Sequence, residues 1–447
     1  MTPGAISAPP PSFHPTTHLA TTPRPGAKKS EARQLEQPTL TQTSENLSSL
    51  SSQAQIAPLF RINMDEEHEW DDAEHPPRPG RAEGALHCFR FIHVSYRMYE
   101  KVARFNVTHL RRQSFYALPD AQWKMLAAPP FNFLETLSKV DDAIGENADL
   151  AKAIARHGLR SFHDPSIQPH DESVCMPREW NGVAKHGDID KARSTLRQFF
   201  RDWSAEGAVE RAASYGPVMR TLEKERANRP DNEPLRVLVP GAGLGRLVFD
   251  LAQSGYNTEG NEISYHQLLA SSYILNFCER AKKHTIYPWV HTFSNHLSRD
   301  NHLRGYSVPD IHPGTTLMSS PNPGTMSMTA ADFLCLYGDS DHRETCLKPG
   351  GILINIGPLL WHFENNAPGN HGHDDDGDGE HDYKNSSGIA DPGSFELTDD
   401  EVMALVEKLG FVLEAKETGV EAPYIHDTDS MLKTVYRAST WVARKPL

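Results

Sequence analysis

The stretch Leu235-Arg-Val-Leu-Val-Pro-Gly-Ala-Gly-Leu-Gly-Arg-Leu-Val-Phe-Asp250 decides the fold class of this chain. An apolar run typical of a buried strand breaks at a Pro-Gly pair, and a run with helical spacing follows the glycines. Gly241, Gly243 and Gly245 lack a Cβ, so the backbone can turn sharply and a ligand can approach the amide groups at the start of the next helix. The pattern predicts a strand, a glycine loop and a helix that hold a nucleotide-like ligand, as in a doubly wound α/β sheet.

The spacing of these glycines distinguishes between two ligand classes. A dinucleotide fingerprint is Gly-x-Gly-x-x-Gly, whereas here the third glycine comes one residue early and Arg246 follows it. The Gly-x-Gly-x-Gly form resembles the first motif of S-adenosylmethionine-dependent methyltransferases, in which the loop holds a carboxypropyl and sulfonium group. A glycine loop alone is a weak signal, so the expected cofactor, S-adenosylmethionine, needs support from a second feature.

An acidic residue downstream supplies that second feature. The helix after the loop stops at Gly255, and Tyr256-Asn-Thr-Glu-Gly-Asn-Glu262 is predicted to form a short second strand whose final acid lies seventeen residues beyond Gly245. In a doubly wound sheet, an acid at this position accepts hydrogen bonds from ribose hydroxyls. A lone strand-end glutamate is more often an ordinary solvated side chain, but at this distance from the loop Glu262 is the candidate ribose ligand.

Composition narrows the functional class and the compartment. The 447 residues include 45 basic and 59 acidic side chains, and the net charge of -14 disfavours a nucleic-acid partner. Five cysteines without a Cys-x-x-Cys pair favour a reducing compartment and argue against a structural zinc site. No apolar run approaches the ~18 residues of a membrane span, and no signal-peptide core is visible. We expect a soluble cytoplasmic protein, with a nuclear location and a homodimer left open.

The chain divides into three predicted parts. Residues 1–63 are rich in Pro, Ser and Thr and predict a disordered tail. Residues 85–214 carry apolar side chains at helical spacing and predict a helical region. Residues 235–447 predict the S-adenosylmethionine-binding domain, interrupted by inserts at 297–326 and 366–393. The strand candidates of this domain are 235–240, 256–261, 286–293, 351–356, 410–416 and 439–444.

The second insert contains a pattern that imitates a metal site. Asp374-x-Asp376-x-Asp378-Gly379 copies the opening of a calcium-binding loop, but Asn385 stands where the loop needs a bidentate glutamate. A solvated acidic loop explains the pattern better, so we expect no metal.

Several stretches together resemble one family, the carnosine N-methyltransferases, which methylate an imidazole nitrogen of a histidine-containing dipeptide. The likeness covers roughly residues 85 to 447, and its motifs are specific as a set. They are Gln198-Phe-Phe-Arg-Asp-Trp203, Val237 to Leu247, Gly260-Asn-Glu262, Tyr287-Pro-Trp289, Phe293-Ser-Asn295, Ser327 to Phe333, Leu347-Lys-Pro-Gly-Gly351, Gly357 to Asn365, Tyr424 to Tyr436 and Val442 to Pro446.

The resemblance implies further cofactor contacts. Gln198 and Arg201 resemble the family's pair at the methionine end of the cofactor, and their spacing of three places both on one helix face. Without the family, a solvated polar face would be the default interpretation. Asp332 is similar to the acid that contacts adenine, with Phe333 beside the ring, whereas the plain alternative is a strand-end cap.

The resemblance also implies a substrate site. His362 follows the fifth strand, beyond the carboxyl end of the sheet, where this architecture binds ligands. A lone histidine is more often a packed or surface residue, but the family position favours a catalytic, substrate-contacting role for His362, with Tyr424 and Tyr436 around the imidazole. Methyl transfer needs a neutral, oriented ring nitrogen, so the pocket must fix the ring and its tautomer.

One interval is too short for the predicted fold. Only fourteen residues, Phe333 to Cys346, separate Asp332 from Leu347, yet the fourth strand, a helix and their connections belong there. A strand takes about five to six residues and a helix about eleven. Either Phe333-Leu-Cys-Leu-Tyr337 serves as a short central strand, or the sequence is a gene model or splice form that has lost a few dozen residues. We favour the loss, which would include the family's substrate-contacting acid.

The sequence therefore supports an S-adenosylmethionine-dependent N-methyltransferase acting on the imidazole of a histidine-containing dipeptide, such as carnosine. Two alternatives stay open. The substrate can instead be a protein histidine or another small amine, and the short interval after Asp332 raises the alternative of a catalytically impaired cofactor-binding or interaction module.

Overall fold

The computed structural model describes residues 62–63, 81–161, 184–229, 235–330, 333, 346–360 and 396–447. Asp332, His362 and the insert at 366–393 lie outside these residues, as does the predicted tail up to residue 61.

Helices fill the N-terminal part of the described chain. They are α1 (Arg81–Arg104), α2 (Leu110–Tyr116), α3 (Asp120–Ala127), α4 (Phe133–Ser161), α5 (His186–Trp203) and α6 (Ala208–Ala227), with a π-helical turn at Phe105–His109 between α1 and α2. The predicted apolar stripe is confirmed, because Tyr96 and Tyr99 are fully buried on α1. The predicted end of this region at 214 falls inside α6, which continues through Pro217.

A parallel sheet follows the helices. Its strands are β1 (Ile62–Asn63), β2 (Arg236–Pro240), β3 (Asn257–Glu262) and β6 (Met326–Ala330), in the order β1-β6-β3-β2. Helices α7 (Arg246–Gln253) and α8 (Tyr265–Ser272) follow β2 and β3, so strand and helix alternate as expected. The last two residues of the predicted tail are thus part of the sheet, since Ile62 pairs with Met328 and Asn63 with Thr329.

The third parallel strand is not where the sequence predicted it. Residues 284–286 form β4 (His284–Ile286), which pairs antiparallel with β5 (Tyr306–Val308) in a separate small sheet. Pro288, just beyond β4, cannot donate a ladder hydrogen bond, and turns replace the rest of the predicted strand at 286–293. The insert at 297–326 carries β5 together with α9 (Arg299–His302) and α10 (Pro313–Ser319), and β6 begins at its last residue.

A second sheet closes the chain. It contains β7 (Ile352–Gly357), β8 (Val412–Pro423) and β9 (Val435–Arg444), in the order β7-β9-β8 with antiparallel pairing. Helix α11 (Asp399–Lys408) packs on it through Val402 and Val406, which contact Trp441 and Ala443 in a small apolar core.

The two larger sheets are not hydrogen-bonded to one another. Among the described residues β2 pairs with β3 alone and β7 with β9 alone, although side chains of both strands join one hydrophobic core. Most residues of β2 and β7 are only half-buried, unlike the last three residues of β3, which are all buried. The α/β class is confirmed. Residues 334–345, where the fourth strand would fall, lie outside the described residues, so its loss stays a prediction.

Candidate functional site

The glycine loop adopts the backbone that its sequence requires. Gly241, Gly243 and Gly245 have φ angles of 64°, 60° and 74°, in the left-handed region where a Cβ is strained. A Cβ on Gly243 would lie 3.2 Å from Gln267 Oε1, and one on Gly245 would lie 3.1 Å from Leu275 Cδ1. The loop therefore turns directly from β2 into α7, leaving no room for larger residues.

Glu262 is tied to this loop. Its side chain is 1% exposed at the end of β3; Oε2 accepts a hydrogen bond from Gly243 N at 2.8 Å and Oε1 from Ser264 N at 2.8 Å. Burial raises the pKa of Glu262, while these backbone donors lower it. Ile263 is a third backbone donor to this carboxylate. Of its roughly four acceptor positions, about one is left for a hydroxyl donor.

Helix α5 ends against the same loop. Trp203 Nε1 donates to Leu244 O at 3.1 Å, and the guanidinium of Arg246 lies 5.0 Å from the centre of the Trp203 ring. Arg246 Nη1 also donates to Asp202 O at 3.0 Å. The face of α5 that carries Gln198 and Arg201 is therefore held beside the glycine loop.

A buried carboxylate fixes this arrangement. Asp310 accepts from Arg246 Nη1 at 2.7 Å and from Arg211 Nη2 at 3.0 Å. Arg211 Nη1 in turn donates to Arg201 O at 2.7 Å and Ser204 O at 2.8 Å, which caps the end of α5. Sequence reasoning missed this clamp, because Asp310 lies in the segment treated as an insert and its partners are distant in the chain.

Predicted cofactor and substrate residues meet at Tyr424. Gln198 is 5% exposed and hydrogen-bonds the Tyr424 hydroxyl, and the Arg201 guanidinium lies 5.1 Å from the Tyr424 ring centre. Arg201 itself forms two bonds to Asp202, at 2.7 and 3.1 Å. The ring of Tyr436 lies 6.3 Å from that of Tyr424 at 56°. Burial is the main cause that raises the pKa of Tyr424, so its hydroxyl stays protonated at neutral pH.

A second carboxylate missed by sequence reasoning shapes the turn after Tyr424. Glu210 accepts from Ile425 N at 2.8 Å and from His426 N at 2.7 Å, and Ile425 has a φ of 42°. Burial raises the pKa of Glu210. No local pattern links residue 210 to residues 425 and 426, so only the folded chain reveals the contact.

The remaining predicted residues are not brought into this cluster by the described part of the chain. Phe333 is half-buried, and Asp332 and His362 lie outside the described residues, so their roles stay predictions. Within the described ranges, no group of three His, Cys, Asp or Glu residues is placed to hold a metal. None of the helices in those ranges is long and apolar enough to cross a membrane.

Comparison with known proteins agrees with this geometry. The family model described as carnosine N-methyltransferase matches residues 178–345 and 340–447. The chain belongs to the carnosine N-methyltransferase family. The rat protein of that name is 33% identical over 384 residues, covering 81% of this chain and 85% of the rat protein. The protein of that name from Schizosaccharomyces pombe is 34% identical over 342 residues, covering 70% of this chain and 83% of the yeast protein.

The form of the family match bears on the short interval. The match comes in two pieces that meet at residues 340–345, inside the fourteen residues between Asp332 and Leu347. Among solved structures, magnesium protoporphyrin IX methyltransferase from Synechocystis PCC 6803 covers 57% of this chain and 99% of its own, with a TM-score of 0.26 and 10% identity.

Proposed function

We propose that this chain transfers the methyl group of S-adenosylmethionine to an imidazole nitrogen of a histidine-containing dipeptide, converting carnosine to anserine. The observation that carries the proposal is the contact between Arg201 and Tyr424, with the guanidinium 5.1 Å from the ring centre, which joins a residue of the cofactor motif to one of the substrate motif. Its setting is the family to which the chain belongs, whose relatives are named for the carnosine reaction.

The residues present fit the cofactor. Bound S-adenosylmethionine supplies an electrophilic methyl group on a sulfonium. Three glycines let the loop turn tightly at the start of α7, and Glu262 has an acceptor position left for a ribose hydroxyl. The rings of Tyr424 and Tyr436 provide aromatic walls that suit a cation. Asp332 would accept from the adenine amino group, with Phe333 beside the ring.

The protein's task in the reaction is orientation. With the cofactor bound, a neutral imidazole nitrogen would accept the methyl group while the carbon–sulfur electron pair returns to sulfur, and the methylated ring would lose the proton of its other nitrogen to water. Tyr424 and Tyr436 would hold the ring, and His362 would fix its tautomer by hydrogen bonding to the other nitrogen. The protonated Tyr424 hydroxyl, bonded to Gln198, couples ring position to the cofactor end.

The short interval after Asp332 supports a second candidate, an impaired enzyme that binds cofactor but turns over slowly. In the described residues β2 carries the glycine loop and has a single neighbour, and β7 leads towards His362 with a single neighbour as well. The relative position of cofactor and substrate residues then has less support than a continuous sheet would give.

The test is incubation of the full chain with S-adenosylmethionine and carnosine, with mass spectrometry of the dipeptide and calorimetry of S-adenosylhomocysteine binding. Formation of singly methylated carnosine supports the proposed reaction. Binding of S-adenosylhomocysteine without methylation supports the impaired candidate. Absence of both binding and methylation overturns the proposal.

A further inference from the structure

Arg197 is a half-buried cation that has no carboxylate partner among the described residues. It lies on α5 next to Gln198 and one turn before Arg201. Its guanidinium lies 5.3 Å from the centre of the Trp289 ring, and its Nη2 makes a long hydrogen bond of 3.4 Å to Ile425 O. Its Nε is buried and has no hydrogen-bond partner.

The other arginines around the loop differ in this respect. Arg201 pairs with Asp202, and Arg211 and Arg246 share Asp310. No carboxylate among the described residues lies within ion-pair distance of Arg197, as the ion pairs of this region show.

Glu210 does not fill this gap. It contributes to the electrostatic environment of Arg197, but both of its oxygens accept backbone donors at 425 and 426. Burial lowers the pKa of Arg197, which is the expected cost of a charge removed from water without a partner. Buried charges in proteins are normally paired, so a missing anion is the simplest account.

The position of Arg197 indicates what that anion is. The charges of Arg197 and Arg201 both act to lower the pKa of Tyr424, whose hydroxyl is hydrogen-bonded to Gln198. The unpaired cation therefore sits where the cofactor and substrate residues meet. Both ligands of the proposed reaction carry a carboxylate, one on the methionine part of the cofactor and one at the end of the dipeptide.

We propose that Arg197 binds the carboxylate of a ligand at this junction, an inference that rests on the proposed function. A planar guanidinium holds a carboxylate through two parallel hydrogen bonds, and the partnerless Nε is one of the donors available to it. Arg201, the arginine of the family motif, already pairs with Asp202. Arg197 is therefore the arginine of α5 that remains available to bind the ligand carboxylate.

The experiment compares Arg197→Gln with the matched variant Arg193→Gln on the full chain. Arg193 lies one turn earlier on α5, is half exposed and pairs with Asp190. Calorimetry measures binding of four ligands: S-adenosylhomocysteine, its decarboxylated analogue S-adenosyl-3-thiopropylamine, carnosine and β-alanylhistamine. The second and fourth lack the carboxylate of the first and third, so each pair isolates that group.

We expect Arg197→Gln to lower the affinity for one of the two carboxylate ligands about 10- to 100-fold, as the loss of a charged hydrogen-bonded pair predicts. The affinity for the corresponding ligand without a carboxylate should not change. A lower affinity for carnosine means that Arg197 binds the substrate carboxylate. A lower affinity for S-adenosylhomocysteine means that it binds the cofactor carboxylate. Arg197→Lys should recover part of the loss. Affinities for all four ligands equal to those of Arg193→Gln overturn the inference.

Two further outcomes separate this inference from the proposed function. If Arg197→Gln does not fold, the wild-type chain still decides, because equal affinity within both ligand pairs rules out a carboxylate site. If the wild type binds S-adenosylhomocysteine but no carnosine, the proposed substrate fails alone, and Arg197 is judged on the cofactor pair.

Discussion

Glu262 fixes the glycine loop and is also the predicted ribose ligand. Its carboxylate accepts Gly243 N and Ser264 N, so the group expected to bind ribose also fixes the loop beneath it. Glu259, three residues earlier on β3, instead accepts from Thr329 Oγ1 at 2.9 Å, towards β6. Because Glu259 lies on the same strand but does not contact the glycine loop, it is a suitable control for Glu262.

We therefore predict that Glu262→Ala weakens S-adenosylhomocysteine binding by about 1 to 3 kcal/mol, because buried donors lose their acceptor. Glu259→Ala should change the affinity by much less. Calorimetry with both variants measures the difference. Equal, small losses would show that the ribose does not depend on Glu262.

Residue roles were predictable from sequence only where a local pattern carries them. The glycine spacing and the distance to Glu262 identified a loop and an acid that the structure joins at 2.8 Å. The family motifs pointed to Gln198 and Tyr424, which the structure joins as well. Glu210 and Asp310 act across the chain on partners that no spacing indicates, so their contacts appear only after folding.

At the level of elements, alternation of strand and helix predicted most of the domain but misplaced its third strand. Met326-Ser-Met-Thr-Ala330 has little β-branched apolar character, yet it is paired on both sides, with β3 and β1. Tertiary pairing outweighs propensity here. Counting residues gives a prediction that does not depend on propensity, because the fourteen residues after Asp332 are too few for a strand and a helix whatever their composition.

The clamp at Asp310 ties three elements together and should matter for stability. Asp310→Asn removes the charge shared by Arg211 and Arg246, and we expect a loss of about 3 to 5 kcal/mol, typical of breaking a buried ion pair. The exposed Asp300→Asn, on α9, is the matched control. Urea unfolding measures both. A loss below about 1 kcal/mol for Asp310→Asn would mean that the clamp does not hold α5, α6 and α7 together.

On the scale of the whole molecule, buried neutral histidines join the helical region to the sheet domain. His266 Nε2 lies 2.9 Å from Ser95 Oγ, and His291 Nε2 lies 2.8 Å from Tyr99 Oη. Burial lowers the pKa of each from 6.5 to about 3. The charged groups that act on them are Lys191 for His266, and Arg193, Arg197 and His302 for His291; all of these lower the pKa further.

Acid should therefore destabilise the fold well before most carboxylates titrate. Below pH 6.5 these histidines bind protons in the unfolded state but stay neutral in the folded state. The free energy of unfolding therefore decreases by about 1.4 kcal/mol for each histidine per unit of decreasing pH. Above pH 6.5 the histidines do not change it. The raised pKa of Glu210 and of Glu262 opposes part of this trend. Urea unfolding at pH 7.5 and 5.5 tests it, and His266→Gln should reduce the slope. A slope unchanged in that variant would contradict the assignment.

The last expectation concerns the fourth parallel strand, for which the interval after Asp332 is too short. A central parallel strand is normally paired on both sides and buried, whereas β2 and β7 each have one neighbour in the described chain and are mostly half-buried. Because β2 leads into the glycine loop and β7 towards His362, restoring the fourth position should align the cofactor and substrate residues.

We predict that a family-like strand and helix inserted after Thr345 raise both the melting temperature and the turnover of carnosine, since a 1 Å misplacement of reacting groups can cost about a hundredfold in rate. A glycine-serine insert of equal length is the control, because it adds chain without a strand. Calorimetric melting and the methylation assay on the unchanged chain and both insertion variants measure the effect. Turnover of the unchanged chain equal to that of the strand variant would show that this chain aligns the two sites without a fourth strand from the family, and that it is a compact form of the enzyme.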